Sequence, residues 1–254
     1  MADRGTFKKR LQAGEVVLGP FTLVQSPIMM TALGIAGMDF VILDMEHGPF
    51  DMTNVEAMCH AADAAGVATI VRVGELNDWM ILRALDVGAT GVEVPQIACK
   101  ADAEAVVWAA KYTPIGGRGL SIITRAGALG TRGPRYTDLA NEETVVVVHI
   151  EGVEGVRNLD EVLTVDNIDV IFLGPYDLSQ SLGIPGQVED PRVEDAIREC
   201  VRKIKAAGKC AGSFAKDATI AKRLIGMGVQ YMSVSVDAAI YKDACSEIVR
   251  QLKG

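Results

Sequence analysis

The sequence predicts a single (β/α)₈ TIM barrel over residues 1–254, and three observations carry that expectation. Short runs rich in β-branched residues alternate eight times with longer amphipathic stretches, as parallel strands joined by crossover helices do. The length of 254 residues suits eight such units closed on themselves. An open doubly wound sheet usually has fewer strands and a glycine-rich nucleotide turn, and no G-x-G-x-x-G occurs here.

The strand candidates in order are 16–24 (VVLGPFTLV), 39–45 (DFVILDM), 68–73 (ATIVRV), 91–97 (GVEVPQI), 145–150 (VVVVHI), 169–174 (DVIFLG), 209–214 (KCAGSF) and 231–237 (YMSVSVD). Several are apolar throughout, as strands covered on both faces should be. Helix candidates lie near 27–37, 53–65, 78–88, 100–112, 153–165, 193–207, 217–228 and 238–252. Many end at a glycine (Gly66, Gly88, Gly208, Gly228) that reads as a left-handed C-cap. The irregular stretch 113–137 carries Gly116, Gly117, Gly119, Gly127, Gly130 and Gly133, more than a rigid connection needs, and reads as a lid or an assembly loop.

Composition narrows the function. With 49% hydrophobic residues the chain can bury a large core, and no run looks like a linker. A net charge of −8, spread along the chain, argues against nucleic acid as partner. It favours a small-molecule pocket that is locally basic or metal-loaded. The first residues are charged and lack the apolar core of a signal peptide, and no segment reaches the roughly 18 apolar residues of a membrane span, so the expected location is the cytoplasm. Five cysteines, without C-x-x-C spacing and mostly inside apolar runs, read as reduced core residues.

Active sites of such barrels form at the C-terminal ends of the strands, which filters the polar residues by position. Asp44, Glu46 and His47 close the second strand, Arg72 the third, Gln96 the fourth, His149 and Glu151 the fifth; Asp177 follows the sixth, Lys216 the seventh, and Asp237 closes the eighth. Glu151 and Asp177 read either as a carboxylate pair for a hard cation or as caps of the helices that follow them, the commoner role for an acid there. Arg72 reads either as a clamp for a substrate carboxylate and its enolate or as a salt-bridge partner of Asp44 or Glu46. His47, among acids, suits a general base, whereas His60 lies mid-helix and reads as structural. Strand alternation puts His149 on the face of Glu151. Lys216, at a polar loop start, reads as a solvated lysine and not as a Schiff-base former.

These residues fall into motifs. Over most of its length the chain resembles the HpcH/HpaI family of metal-dependent (class II) 2-keto acid aldolases, through Asp39–Pro49 (DFVILDMEHGP), Val71-Arg72-Val73, Leu85-Asp86-Val87-Gly88-Ala89 with Val94-Pro95, and Gly117-Arg118-Gly119. Further on come Ile150-Glu151, Gly174-Pro175-Tyr176-Asp177-Leu178-Ser179 and Leu182-Gly183.

The resemblance implies a barrel of the phosphoenolpyruvate/pyruvate type. Glu151 and Asp177 would hold Mg²⁺, Mn²⁺ or Co²⁺, and Arg72 would bind the pyruvate unit. His47 would act as base with Asp86 raising its basicity, and Gly174, Pro175, Tyr176 and Asp177 would cradle the keto acid carboxylate. The implied reaction is reversible cleavage of a 4-hydroxy-2-keto acid to pyruvate and an aldehyde through an enolate. The alternative is decarboxylation of oxaloacetate, or condensation of a keto acid with a second carbonyl in the manner of a citrate synthase. The family pattern also implies a homohexamer built as a trimer of dimers that exchange the last helix, 238–252. Asp86 sits near the end of a helix that runs away from the catalytic rim, so the expectation is that it reaches a site in a neighbouring subunit or none. The chain departs from the family at His149, where a substrate-contacting glutamine is common, and at Tyr176, which replaces a small residue.

Overall fold

The computed structural model describes residues 4–254. Its strands are β1 (Val17–Thr22), β2 (Phe40–Asp44), β3 (Ala68–Arg72), β4 (Gly91–Val94), β5 (Val145–Ile150), β6 (Val170–Leu173), β7 (Cys210–Ala215) and β8 (Tyr231–Val236). They form a closed parallel barrel in sequence order. The seam is β1 against β8, with Val17 opposite Tyr231 and a shift of register between Gly19 and Phe21.

The helices are α1 (Arg4–Gln12), α2 (Pro27–Ile35), α3 (Met52–Ala65), α4 (Asp78–Asp86), α5 (Lys100–Ala110), α6 (Tyr136–Glu143), α7 (Val153–Arg157), α8 (Leu159–Val162), α9 (Pro175–Ser181), α10 (Pro191–Ala206), α11 (Ala218–Met227) and α12 (Asp237–Lys253). All eight expected strands and all eight helical stretches form, with 153–165 broken at Asn158 into α7 and α8. Local signals explain the starts: Asp51 accepts from the Asn54 amide, Asn77 from that of Met80, and Asp217 from those of Thr219 and Ile220. Gly66 and Gly228 are left-handed C-caps, φ 74° and 112°, and Gly88 and Gly208 also have positive φ.

Strand alternation divides the core in two. Val41, Leu43, Val71, Val92, Val146, Val148 and Ile171 face the helices, while Phe21, Phe40, Ile42, Ile70, Val147, Phe172 and Tyr231 fill the barrel. Tyr231 stacks on Phe40 at 4.2 Å between centroids. Two helices were not expected. In α1, Phe7 and Leu11, one turn apart, join the interior cluster and plug the N-terminal end of the barrel. α6 ends the glycine-rich stretch.

That stretch packs at the N-terminal end. Arg118 pairs with Asp86 at 2.6 Å, the Ala126 amide donates to the Asp86 carbonyl, and Arg125 pairs with Asp63 and donates to the carbonyls of Cys59, Val87 and Gly88. It therefore contributes nothing to the mouth of its own barrel and forms no lid there. Beneath the barrel, fully buried Lys111 donates to the carbonyls of Asn141 and Thr144, and Lys8 shares the latter while pairing with Asp169. Cys59, Cys200 and Cys210 are buried, Cys99 is half-buried and Cys245 is exposed.

Candidate active site

A cleft of about 670 Å³ opens at the C-terminal ends of the strands, lined by Asp44, His47, Arg72, His149, Glu151, Gly174, Pro175, Tyr176 and Asp177 among others. Of the catalytic and metal-binding residues that the family resemblance implies, Asp86 alone lies elsewhere, at the N-terminal end against Arg118.

Arg72 ends β3 with its guanidinium gripped on two sides. Nε is 2.9 Å from Asp44 Oδ1, Nη2 is 2.6 Å from Asp44 Oδ2, and Nη1 is 3.0 Å from Glu46 Oε2. The guanidinium also lies over the Phe21 ring at 4.6 Å. Burial alone would lower the Arg72 pKa, but the Asp44 carboxylate outweighs it and the guanidinium is held charged. The salt bridge anticipated as one alternative exists and still leaves two of five N–H groups for a ligand. Asp44 also accepts from the Glu46 and His47 amides, folding the chain so that the exposed His47 stands at the mouth. Burial, reinforced by Glu151, pushes the Glu46 carboxyl above its ordinary range against the pull of Arg72.

Glu151 follows β5 and is buried. It does not cap α7, whose N-cap is Gly152. Its Oε1 accepts from the Gln96 amide at 2.8 Å, and its Oε2 lies 2.9 Å from His149 Nδ1. Gln96 adopts φ 58°, a strained conformation for a non-glycine residue, which aims that amide at the carboxylate. Burial would raise the Glu151 pKa, but His149 reverses this and holds the carboxylate ionised. Gly174 completes the pocket, because a Cβ there would lie 2.7 Å from Glu151 Oε2. Asp177 stands in the first turn of α9 without a side-chain cap, exposed to the cleft.

The buried imidazole of His149 has a carboxylate at each end. Nε2 is hydrogen-bonded to Glu93 Oε1, and the Tyr231 hydroxyl donates to Glu93 Oε2 at 3.0 Å. Burial on its own would lower the His149 pKa, but the two carboxylates raise it to about 9. With both nitrogens engaged, the ring faces the cleft without a donor to spare. Glu93 was not among the residues singled out from sequence; an acid alternating with valines at an inward position of a core strand was the available signal.

Tyr176 is exposed on the cleft wall, edge-on to Phe214 at 5.9 Å. Lys216 is solvated and paired with Glu189 at 3.2 Å, as its loop position implied. Asp237 accepts from the Leu23 and Val24 amides and so ties the ends of β1 and β8 together.

The residues present suit a hard divalent cation: two oxygen donors at one rim, one held ionised and fixed at both oxygens, beside a glycine that keeps space open. Among the described residues, no group of three or more His, Cys, Asp or Glu side chains is arranged to hold a metal, so water and a chelating ligand would complete the shell.

A closed parallel barrel that gathers paired carboxylates, a buried guanidinium and an exposed imidazole at its C-terminal mouth is built as an enzyme for small anionic substrates. The chain belongs to the HpcH/HpaI aldolase/citrate lyase family, whose model matches residues 18–244. It is 35% identical to a pyruvate aldolase of Rhizobium etli, over 92% of each chain. It is also 31% identical to a hydroxypyruvate/pyruvate aldolase of Pseudomonas aeruginosa, over 98% of this chain and 92% of that protein. The crystal structure of an HpcH/HpaI aldolase/citrate lyase family protein from Burkholderia cenocepacia superposes with a TM-score of 0.94 at 31% identity, covering 98% of this chain and all of the other. The protein is thus an enzyme of the carbon–carbon lyase class.

Proposed function

We propose that this enzyme reversibly cleaves a 4-hydroxy-2-keto acid to pyruvate and an aldehyde at the cleft described above. The observation that carries the reading is the Glu151 carboxylate, ionised and fixed at both oxygens, in one cleft with Asp177, Arg72 and His47. Glu151 and Asp177 would hold Mg²⁺, Mn²⁺ or Co²⁺, and such an ion would supply Lewis-acid withdrawal of charge from the keto group. Arg72 binds the pyruvate portion through its two uncommitted N–H groups and stabilises the negative charge that develops as the bond breaks. Its position is held by Asp44 and Glu46. His47, at the mouth, takes the proton from the 4-hydroxyl as that oxygen becomes the aldehyde carbonyl, the electron pair of the breaking carbon–carbon bond passes into the pyruvate unit, and the proton is then returned to the carbon that becomes the pyruvate methyl. The backbone at Gly174–Asp177, the first turn of α9, receives the substrate carboxylate.

The same groups would serve loss of CO₂ from oxaloacetate or condensation of a keto acid with a second carbonyl. The exposed Tyr176 phenol, where a small residue was expected, favours keeping that alternative. Incubation with oxaloacetate alone, and with pyruvate and a panel of aldehydes, separates the two by CO₂ release or adduct formation.

Assembly and location belong to the same proposal. α12 has Asp237 as its one buried residue and exposes Ile240, Ile248, Val249 and Leu252, which supports exchange of this helix within a dimer. Leu120, Ile122, Ile123 and Leu129 are likewise exposed on the glycine-rich stretch, consistent with an assembly loop and a trimer of dimers. No helix among the described residues is long and apolar enough to cross a membrane, and a cytoplasmic location is proposed with it.

The deciding experiment is metal removal. Chelator should abolish cleavage of a 4-hydroxy-2-keto acid, and Mg²⁺, Mn²⁺ or Co²⁺ should restore it; full turnover by metal-free enzyme would end this reading.

A further inference from the structure

Glu93 occupies the middle of β4, level with Arg72 of β3 and Val147 of β5, and its side chain is wholly enclosed by the barrel. A carboxylate there costs several kcal/mol unless its oxygens are matched. Most inward neighbours on β3, β5 and β6, among them Ile70, Val145, Val147, Val170 and Phe172, meet the same space with hydrocarbon. Glu93 spends one oxygen on the Tyr231 hydroxyl, 3.0 Å away, and the other on His149 Nε2. The His149 ring is stacked on Phe172 at 4.3 Å and 14°, so it is fixed both in its plane and along its axis. Its far nitrogen meets Glu151 Oε2 at 2.9 Å. Tyr231, Glu93, His149 and Glu151 thus form one continuous strut from the barrel centre to its rim.

We propose that Glu93 is a positioning residue which, acting through His149, sets the orientation of Glu151 for the divalent cation. The inference rests on the reading of Glu151 as a metal ligand. Glu93 touches neither substrate nor cation. It anchors the imidazole, the imidazole holds Oε2, and the Gln96 amide holds Oε1. Outer partners of this kind tune metal affinity by about 10–100-fold.

The test is Mn²⁺ titration of the whole enzyme without substrate, followed by electron paramagnetic resonance, on wild type, Glu151→Gln, Glu93→Gln, His149→Gln and the double variant Glu93→Gln/His149→Gln. Glu93→Gln should weaken Mn²⁺ binding by about 10–100-fold and broaden the bound-ion spectrum, with kcat largely recovered at saturating Mn²⁺. The double variant should bind no more weakly than His149→Gln alone, because both changes break one strut. Tyr231→Phe, which removes only the anchor at the barrel centre, should weaken binding by a smaller factor and serves if Glu93→Gln fails to fold. Wild-type Mn²⁺ affinity and spectrum in folded Glu93→Gln, or in Tyr231→Phe where that is the variant that folds, would overturn the proposal. If Glu151→Gln itself binds Mn²⁺ as wild type does, the metal-ligand reading fails and the positioning role falls with it.

Discussion

The Arg72 guanidinium lies flat against the Asp44 carboxylate, with Nε 2.9 Å from Oδ1 and Nη2 2.6 Å from Oδ2, and both side chains are almost wholly buried. The pair does two jobs. It settles the charge of Asp44 in the barrel wall, and it holds two further N–H groups of Arg72 ready for a ligand. Arg72→Ala should therefore lower kcat by roughly 10²-fold or more, by analogy with loss of an oxyanion donor. It should also destabilise the fold by about 3–5 kcal/mol, because Asp44 is left buried and unpaired. Arg72→Lys separates the effects: it keeps the charge and part of the stability but loses the fork of donors, so kcat stays low. A rate effect below tenfold in a folded Arg72→Ala would remove Arg72 from catalysis.

Gly174 makes room for a carboxylate. A Cβ there would stand 2.7 Å from Glu151 Oε2 and 2.9 Å from Glu151 Cβ, while the backbone at this position, φ −84°, is open to any residue. The obstacle to a side chain is contact with Glu151 and not backbone strain. Gly174→Ala should keep its melting temperature within a few degrees and lose Mn²⁺ affinity by about 10–100-fold. Unchanged affinity in a titration would show that Glu151 can move aside without consequence.

The barrel was legible in the sequence because parallel strands buried on both faces must be apolar, and runs such as Val145–Val148 have few other uses. α1 was not, since the two apolar residues it sends into the interior cluster, Phe7 and Leu11, are hidden among charged neighbours in the sequence. At the site, strand-end position brought Asp44, Glu46, His47, Arg72, His149, Glu151 and Asp177 into view. Whether Glu151 capped a helix or faced the cleft was decided by contacts that spacing does not encode: the Gln96 amide and the His149 ring. Glu93 escaped because it sits inside a strand, where position at the rim is no guide.

Lys111 makes a stability prediction independent of the active site. Burial, with Lys8 close by, lowers its pKa from 10.5 to about 7. Between those values the unfolded chain binds more protons than the folded one, so this residue makes stability rise with pH from about 7 to about 10.5. Below about 7 the amine is charged in both states and its burial costs most; above about 10.5 it is neutral in both. Thermal melts of wild type and Lys111→Met across this range expose the effect, since groups remote from Lys111 titrate alike in both. The melting temperature of wild type relative to the variant should climb as pH rises, and a constant difference would refute the assignment.

Asp86 and His47 stand at opposite ends of one barrel. Asp86 closes α4 at the N-terminal side, 2.6 Å from Arg118, whereas His47 lines the C-terminal cleft. A dyad between them therefore requires a second subunit, and that requirement can be tested by complementation. Asp86→Asn and His47→Asn should each be nearly inactive when pure. Subunits of the two, unfolded together and reassembled, should regain activity, because some interfaces then join an intact Asp86 to an intact His47. If pure Asp86→Asn is as active as wild type and mixing adds nothing, Asp86 serves only to pair with Arg118 and hold the glycine-rich stretch against the barrel.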